Sequence, residues 1–226
     1  MQQLLVLHFQ AIAEQDWLLD TFSAERGRQK LILKRPSVSP DLFIQYQCDW
    51  FEKTDWPNIK VWQPQQTWRL DNSALYCGLY LNELMVALLP LAEPLPNLYK
   101  TYQHTLQALA ENQWSEPWLR MFEWQLLQQL GYGFSWQRDQ ASQVINPQNN
   151  YQFIPAAGFV KADTGFSGND ILAFAQGSKE VRVWQLAKRI FRLALDDLLE
   201  QPLCSRSLFV TNAATKIDNS QPTKTL

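Results

Sequence analysis

No stretch of the chain constrains its fold as much as residues 72–90, NSALYCGLYLNELMVALLP. Coiled as a helix, it is apolar on nearly every side over more than four turns, so it must be covered by protein all round. Asp71, Asn72 and Ser73 are cap candidates at its start, and Pro90, with no N–H and a fixed φ, stops it. Asn82 and Glu83 interrupt a span of roughly 17 residues, which argues against a membrane crossing and for the central helix of a bundle. Everything else has to pack around this segment.

With 226 residues there is room for one medium and one small unit, and 46% hydrophobic against 19% charged residues is a globular balance rather than a disordered one. A net charge of −2 and a pI near 5.7 ordinarily argue against a nucleic-acid partner. The charge is uneven, however. Residues 1–70 carry eight Lys/Arg against eight Asp/Glu, residues 71–165 four against eight, and residues 166–226 eight against six. Three cysteines, Cys48, Cys77 and Cys204, are too scattered for a disulfide framework or a zinc site. MQQLLVLHFQ lacks a basic stretch before its short apolar run, so no secretory signal is visible, and a reduced, cytoplasmic protein is expected.

Before the apolar segment, short runs rich in β-branched, Leu and aromatic residues occupy 4–9, 17–22, 29–33, 42–51 and 59–62, separated by turn signals. Five strands at this spacing predict a small barrel, the architecture that in OB-folds presents rings and charges to unpaired bases. Arg26, Arg28, Lys30, Lys34 and Arg35 cluster in a stretch, 26–40, that holds no acid. On a strand Arg28, Lys30 and Lys34 share one face, where they are candidates to neutralise successive phosphates or, alternatively, to protect an exposed strand edge. Trp17, Phe43, Tyr46, Trp50, Phe51, Trp56 and Trp62 are many rings for so small a core, and one or two are candidates for stacking on bases.

After it, helical periodicity marks 97–111 and 118–130, the latter opened by Ser115, Glu116 and Pro117 and closed by Gly131. Residues 132–166 lose that period and read as a loop with a hairpin, 151–154 turning into Phe159 and Val160. Ser167 with Asp170 predicts a capping box on a short helix ending at Gly177, and a long helix is expected from Ser178 to about Leu199. The tail from about residue 210 lacks periodicity and large apolar residues.

No nucleophile–base pair, metal-ligand spacing or phosphate-cradling glycine run is present, and His8 and His104 have no partners arranged as ligands. Glu83 and Glu123 are best read as holding helices together or pairing with Arg.

The order of these parts resembles the RecO family of recombination mediators. The likeness is carried by TFSAERGRQKLILK (21–34), LYCGLYLNELMVALLP (75–90), LRMFEWQLLQQLGYG (119–133), YQFIPAAGFV (151–160), AKRIFRLAL (187–195) and PLCSRSLF (202–209). It implies an α+β chain: an OB-fold over 1–70, a helical domain over 71–209 with an insertion near 132–166, and a flexible tail over 210–226. It further implies a non-enzymatic mediator of DNA repair and recombination, cytoplasmic and associated with the nucleoid. Such a protein binds single- and double-stranded DNA, anneals strands, works with RecR, and helps RecA onto DNA covered by single-strand-binding protein. DNA would be held through Arg26, Arg28, Lys30, Lys34 and Arg35. The acidic, Phe-ended tail of single-strand-binding protein would meet a pocket drawing on Arg120, Phe122, Lys188, Arg189, Arg192 and Arg206, where Met121 replaces a second Arg of the family's motif. Some members hold zinc in the insertion; with no cysteine between Cys77 and Cys204, no zinc and no other cofactor is expected here. No Lys or Arg lies between Arg35 and Lys53, where typical members carry a longer basic arm. Weaker DNA binding follows, and with it an alternative reading as an adaptor that mainly recognises the tail or RecR.

Overall fold

A computed structural model describes residues 1–50 and 56–208; Phe51 and the tail fall outside these residues. Five antiparallel strands come first: β1 (Gln2–Ala11), β2 (Asp16–Ser23), β3 (Gly27–Lys34), β4 (Ile44–Trp50) and β5 (Ile59–Thr67), in the order β3-β2-β1-β4-β5. The sheet curls until β3 meets the start of β5. Ile32 pairs with Asn58 and donates its N–H to the Pro57 carbonyl at 2.9 Å.

The middle strand β1 is buried on both faces, which is why LLVL is an unbroken apolar run rather than an alternation. Leu4 and Val6 point into the barrel with Leu19, Leu31, Leu33 and Tyr46, whereas Leu5, Leu7 and Phe22 join the core of the helices. Barrel and helices are thus welded through the outer face of one sheet.

The helices are α1 (Asn72–Leu88), α2 (Pro96–Ala110), α3 (Ser115–Gln129), α4 (Gly168–Ala175) and α5 (Val181–Asp196). The apolar segment 72–90 is α1 and lies against β1, α2 and α3. At Gly78 it packs tightly on residues flanking β4 and β5: a Cβ there would stand 2.7 Å from the Phe43 ring and 2.6 Å from a Leu70 methyl. Asn82 serves the junction. A bulge between Val6 and His8 leaves Leu7 out of the β1–β2 register, and the Leu7 carbonyl accepts from Asn82 Nδ2 at 3.0 Å. The Tyr102 hydroxyl of α2 donates to Asn82 Oδ1. Glu83 points the other way and receives the N–H groups of Cys204 and Ser205 at 2.7 and 2.8 Å, tying down the last helical turn of the described chain.

The insertion contains β6 (Asn150–Ile154), β7 (Gly158–Ala162) and a two-residue strand, β8 (Phe166–Ser167), in the order β7-β6-β8. The hairpin was expected; β8 was not, since two residues carry no alternation to read. Helix ends also differ from expectation. Ser167 makes no side-chain cap, the Asp170 carboxylate pairs with Arg182 instead of reaching back to it, and α5 begins at Val181 instead of Ser178, whose hydroxyl accepts the Glu180 N–H. Asp71 makes no side-chain cap on α1 either. Gly131, at φ +82°, closes α3 as expected, with Tyr132 N–H returning to the Leu127 carbonyl.

Candidate functional site

The basic strand is the first candidate. On β3, Leu31 and Leu33 turn into the barrel and Arg28, Lys30 and Lys34 turn the other way. The antiparallel register then sets Lys30 opposite Asp20 and Lys34 opposite Asp16. Although the basic stretch itself holds no acid, its neighbour strand brings two to it. Arg28 is further committed: Nε and Nη2 grip both Asp20 oxygens at 2.7 and 2.9 Å, and Nη1 donates to the Leu89 carbonyl at the end of α1 at 2.9 Å. As a mostly buried fork it staples barrel to helix, so among the five basic residues expected to hold DNA its guanidinium is committed within the fold on both sides. The Arg26 guanidinium lies 5.4 Å from the Trp50 ring centroid, and Arg35 is exposed in a left-handed turn at φ 43°. Lys30 shares a small cleft with His8, Gln10, Leu18 and Asp20.

Of the rings proposed for stacking, Phe43, Tyr46 and Trp50 are core. Trp62 stacks on Tyr46 at 3.7 Å between centroids, and half-buried Trp17 meets Phe9 edge-on. Trp56 is 46% exposed.

The second candidate lies among α1, α3, α4 and α5, where two cavities share one wall, Arg120. The first, about 460 Å³, is aromatic: Trp124, Phe134, Trp136, Phe174, Trp184 and Phe191 line it, with Met121 and Ala175 at its margin. Its rings meet edge-to-face, as in Trp124–Phe134 at 5.5 Å and 82°, or tilted, as in Trp136–Phe174 at 4.3 Å and 47°, and together form a box. Trp136 Nε1 is buried there with no hydrogen-bond partner among the described residues.

The second cavity, about 380 Å³, is polar and brings together Arg120, Lys188, Arg192 and Arg206 with Glu116, Glu123, Tyr80 and Cys77. Arg120 Nη2 bonds Glu123 Oε1 at 2.6 Å, and Tyr80 donates to the same oxygen at 2.7 Å. Burial raises the Glu123 carboxyl above the usual range, against the opposing pull of Arg120 and the Tyr80 hydrogen bond. Lys188 donates to Glu116 at 2.9 Å, while Asp196 pairs with both Arg192 and Arg206.

Four of the six residues expected around a partner pocket therefore converge. Two do not. Phe122 is fully buried against Tyr102 and lines neither cavity, because α3 turns that face toward α2. Arg189 lies one residue round from Lys188 on α5, over the Phe166 ring at 5.3 Å, in a separate cleft beside the insertion. The aromatic box itself was missed. Its six rings come from four separated segments, and ten Trp in 226 residues was the only signal for it.

Among the described residues no three His, Cys, Asp or Glu stand close enough to hold a metal ion, and no helix is long and apolar enough to cross a membrane.

A five-stranded OB-type barrel fused to a helical body, with its cavities among the helices, defines an α+β class of chain. Residues 69–207 match the family model described as Recombination protein O C terminal. The chain is 37% identical to DNA repair protein RecO of Stutzerimonas stutzeri, over 92% of this chain and 93% of that one. It is 34% identical to the protein of the same name from Pseudomonas paraeruginosa over 96% and 97%, and 36% to that of Pseudomonas putida over 92% and 96%. The chain belongs to the RecO family.

Proposed function

We propose that the chain is a recombination mediator of DNA repair. It binds single- and double-stranded DNA, promotes annealing, and assists RecA onto DNA covered by single-strand-binding protein, in concert with RecR. It does so without catalysis or cofactor, in the cytoplasm at the nucleoid. Family membership supports the role; the observation that carries the mechanism is the aromatic box walled by Arg120. A phenyl ring at the end of an acidic tail fits such a box. Its terminal carboxylate can pair with the guanidinium in the wall, and the preceding acids lie toward Lys188 at the mouth of the polar cavity.

DNA is held more loosely, on the barrel. Arg26, Lys30, Lys34 and Arg35 supply the positive surface, tempered by Asp16 and Asp20 across the strand. That tempering favours the second reading, an adaptor that chiefly recognises the tail or RecR. Titration of fluorescent single-stranded DNA separates the two. In a mediator, replacing Lys30, Lys34 and Arg35 by Ala weakens binding and flattens its salt dependence by about one phosphate contact per charge lost. An adaptor shows little binding to begin with and no annealing of complementary strands.

A further inference from the structure

The polar cavity is furnished for more than an ion-pair network. Arg120, Lys188, Arg192 and Arg206 face Glu116 and Glu123 within it, and Asp196 bridges two of the arginines from outside. Four positive charges against three carboxylates leave one in excess. Four atoms of these side chains are shielded and have no hydrogen-bond partner among the described residues: Arg120 Nε, Arg206 Nη2, Glu116 Oε2 and Glu123 Oε2. Arg120 is only 4% exposed and Glu123 only 1%. Two of the four atoms donate and two accept. A ligand seated among these side chains meets guanidinium and ammonium donors that call for an anionic group and carboxylates that call for N–H or O–H donors.

We infer that this cavity binds a mononucleotide, its phosphate on Arg120, Lys188, Arg192 and Arg206 and its sugar hydroxyl or base amino groups on Glu116 and Glu123. At about 380 Å³ it falls within the range of roughly 300–1,000 Å³ typical of small-molecule sites. Cys77, Tyr80 and Leu119 supply its less polar wall. An acidic peptide suits it less well, because every carboxylate beyond the first meets the accept-only oxygens of Glu116 and Glu123. A free nucleotide and the terminal nucleotide of a DNA strand present the same chemistry. The site goes beyond the tail reading and shares with it the Arg120 wall and Lys188 at its mouth.

The test is calorimetric titration of the full chain with 2′-deoxyadenosine 5′-monophosphate, and with deoxyadenosine and inorganic phosphate as its two halves. The nucleotide binds and each half binds at least about tenfold more weakly, the loss expected when one of two anchoring groups is removed. Lys188→Ala and Arg192→Ala, both at exposed side chains, weaken the nucleotide about fivefold or more. A short oligonucleotide bearing a 5′-phosphate that competes better than its 5′-hydroxyl twin marks the strand end as the source; equal, poor competition by both marks the free nucleotide. The inference is overturned if the nucleotide does not bind, or if both substitutions leave its affinity unchanged. It is also overturned if a Phe-ended acidic peptide displaces the nucleotide from Ala175→Phe, in which the neighbouring aromatic cavity is filled.

Discussion

Asn82 shows how much a single side chain carries in this fold. Its amide closes the bulged carbonyl of Leu7 and its oxygen receives Tyr102, so β1, α1 and α2 meet on one residue. Asn82→Ala leaves two buried polar groups unmatched and is expected to lower unfolding stability by about 2–4 kcal/mol, measured by urea denaturation with unchanged m-value. The cysteines give a second residue-level expectation. Burial holds the Cys48 thiol up at about 12 and raises Cys77 as well, whereas Cys204 is exposed. A thiol reagent should therefore label Cys204 rapidly in the native chain and reach the other two only on unfolding; fast labelling of Cys48 or Cys77 would contradict the packing. Asn82 and Glu83, polar residues within an apolar stretch, were legible from sequence as a mark against a membrane crossing, and Glu83 as a residue that holds helices together. Arg28 was not, since its partners, Asp20 and the Leu89 carbonyl, are fixed by strand pairing and by the docking of α1.

At the scale of elements, periodicity located all five barrel strands and the helices. What it could not supply was register. Asp16 and Asp20 recur on β2 with the same even spacing as Lys30 and Lys34 on β3, yet only the observed pairing sets acid against base. Removing one of those acids unmasks the strand. Asp16→Asn is expected to raise affinity for single-stranded DNA about two- to fivefold at low salt and to steepen the salt dependence. No gain at low salt would mean that β3 does not face DNA. Phe122 lies apart from both cavities for the same kind of reason: helical spacing defines a stripe but not which neighbour the stripe faces. The insertion holds the expected hairpin and adds β8 to it, making a small sheet. Phe153 and Phe159 of that sheet, with Phe134 from the segment leading into it, pack into the same aromatic cluster as the helices.

In the whole molecule, α1 is the strut between a barrel with modest positive charge and a helical body with two adjoining cavities, one aromatic and one charged. In the proposed function, loose contact with DNA falls to the barrel and pocketed contact with a partner to the helical body. Ala175→Phe fills the aromatic cavity without altering a charge. The decisive measurement is fluorescence anisotropy of an acidic peptide ending in Phe against the native chain and this variant, with single-stranded DNA titrated in parallel. The account predicts that the variant loses peptide affinity by about tenfold or more while its DNA affinity is unchanged. Equal peptide affinity for both chains would contradict it.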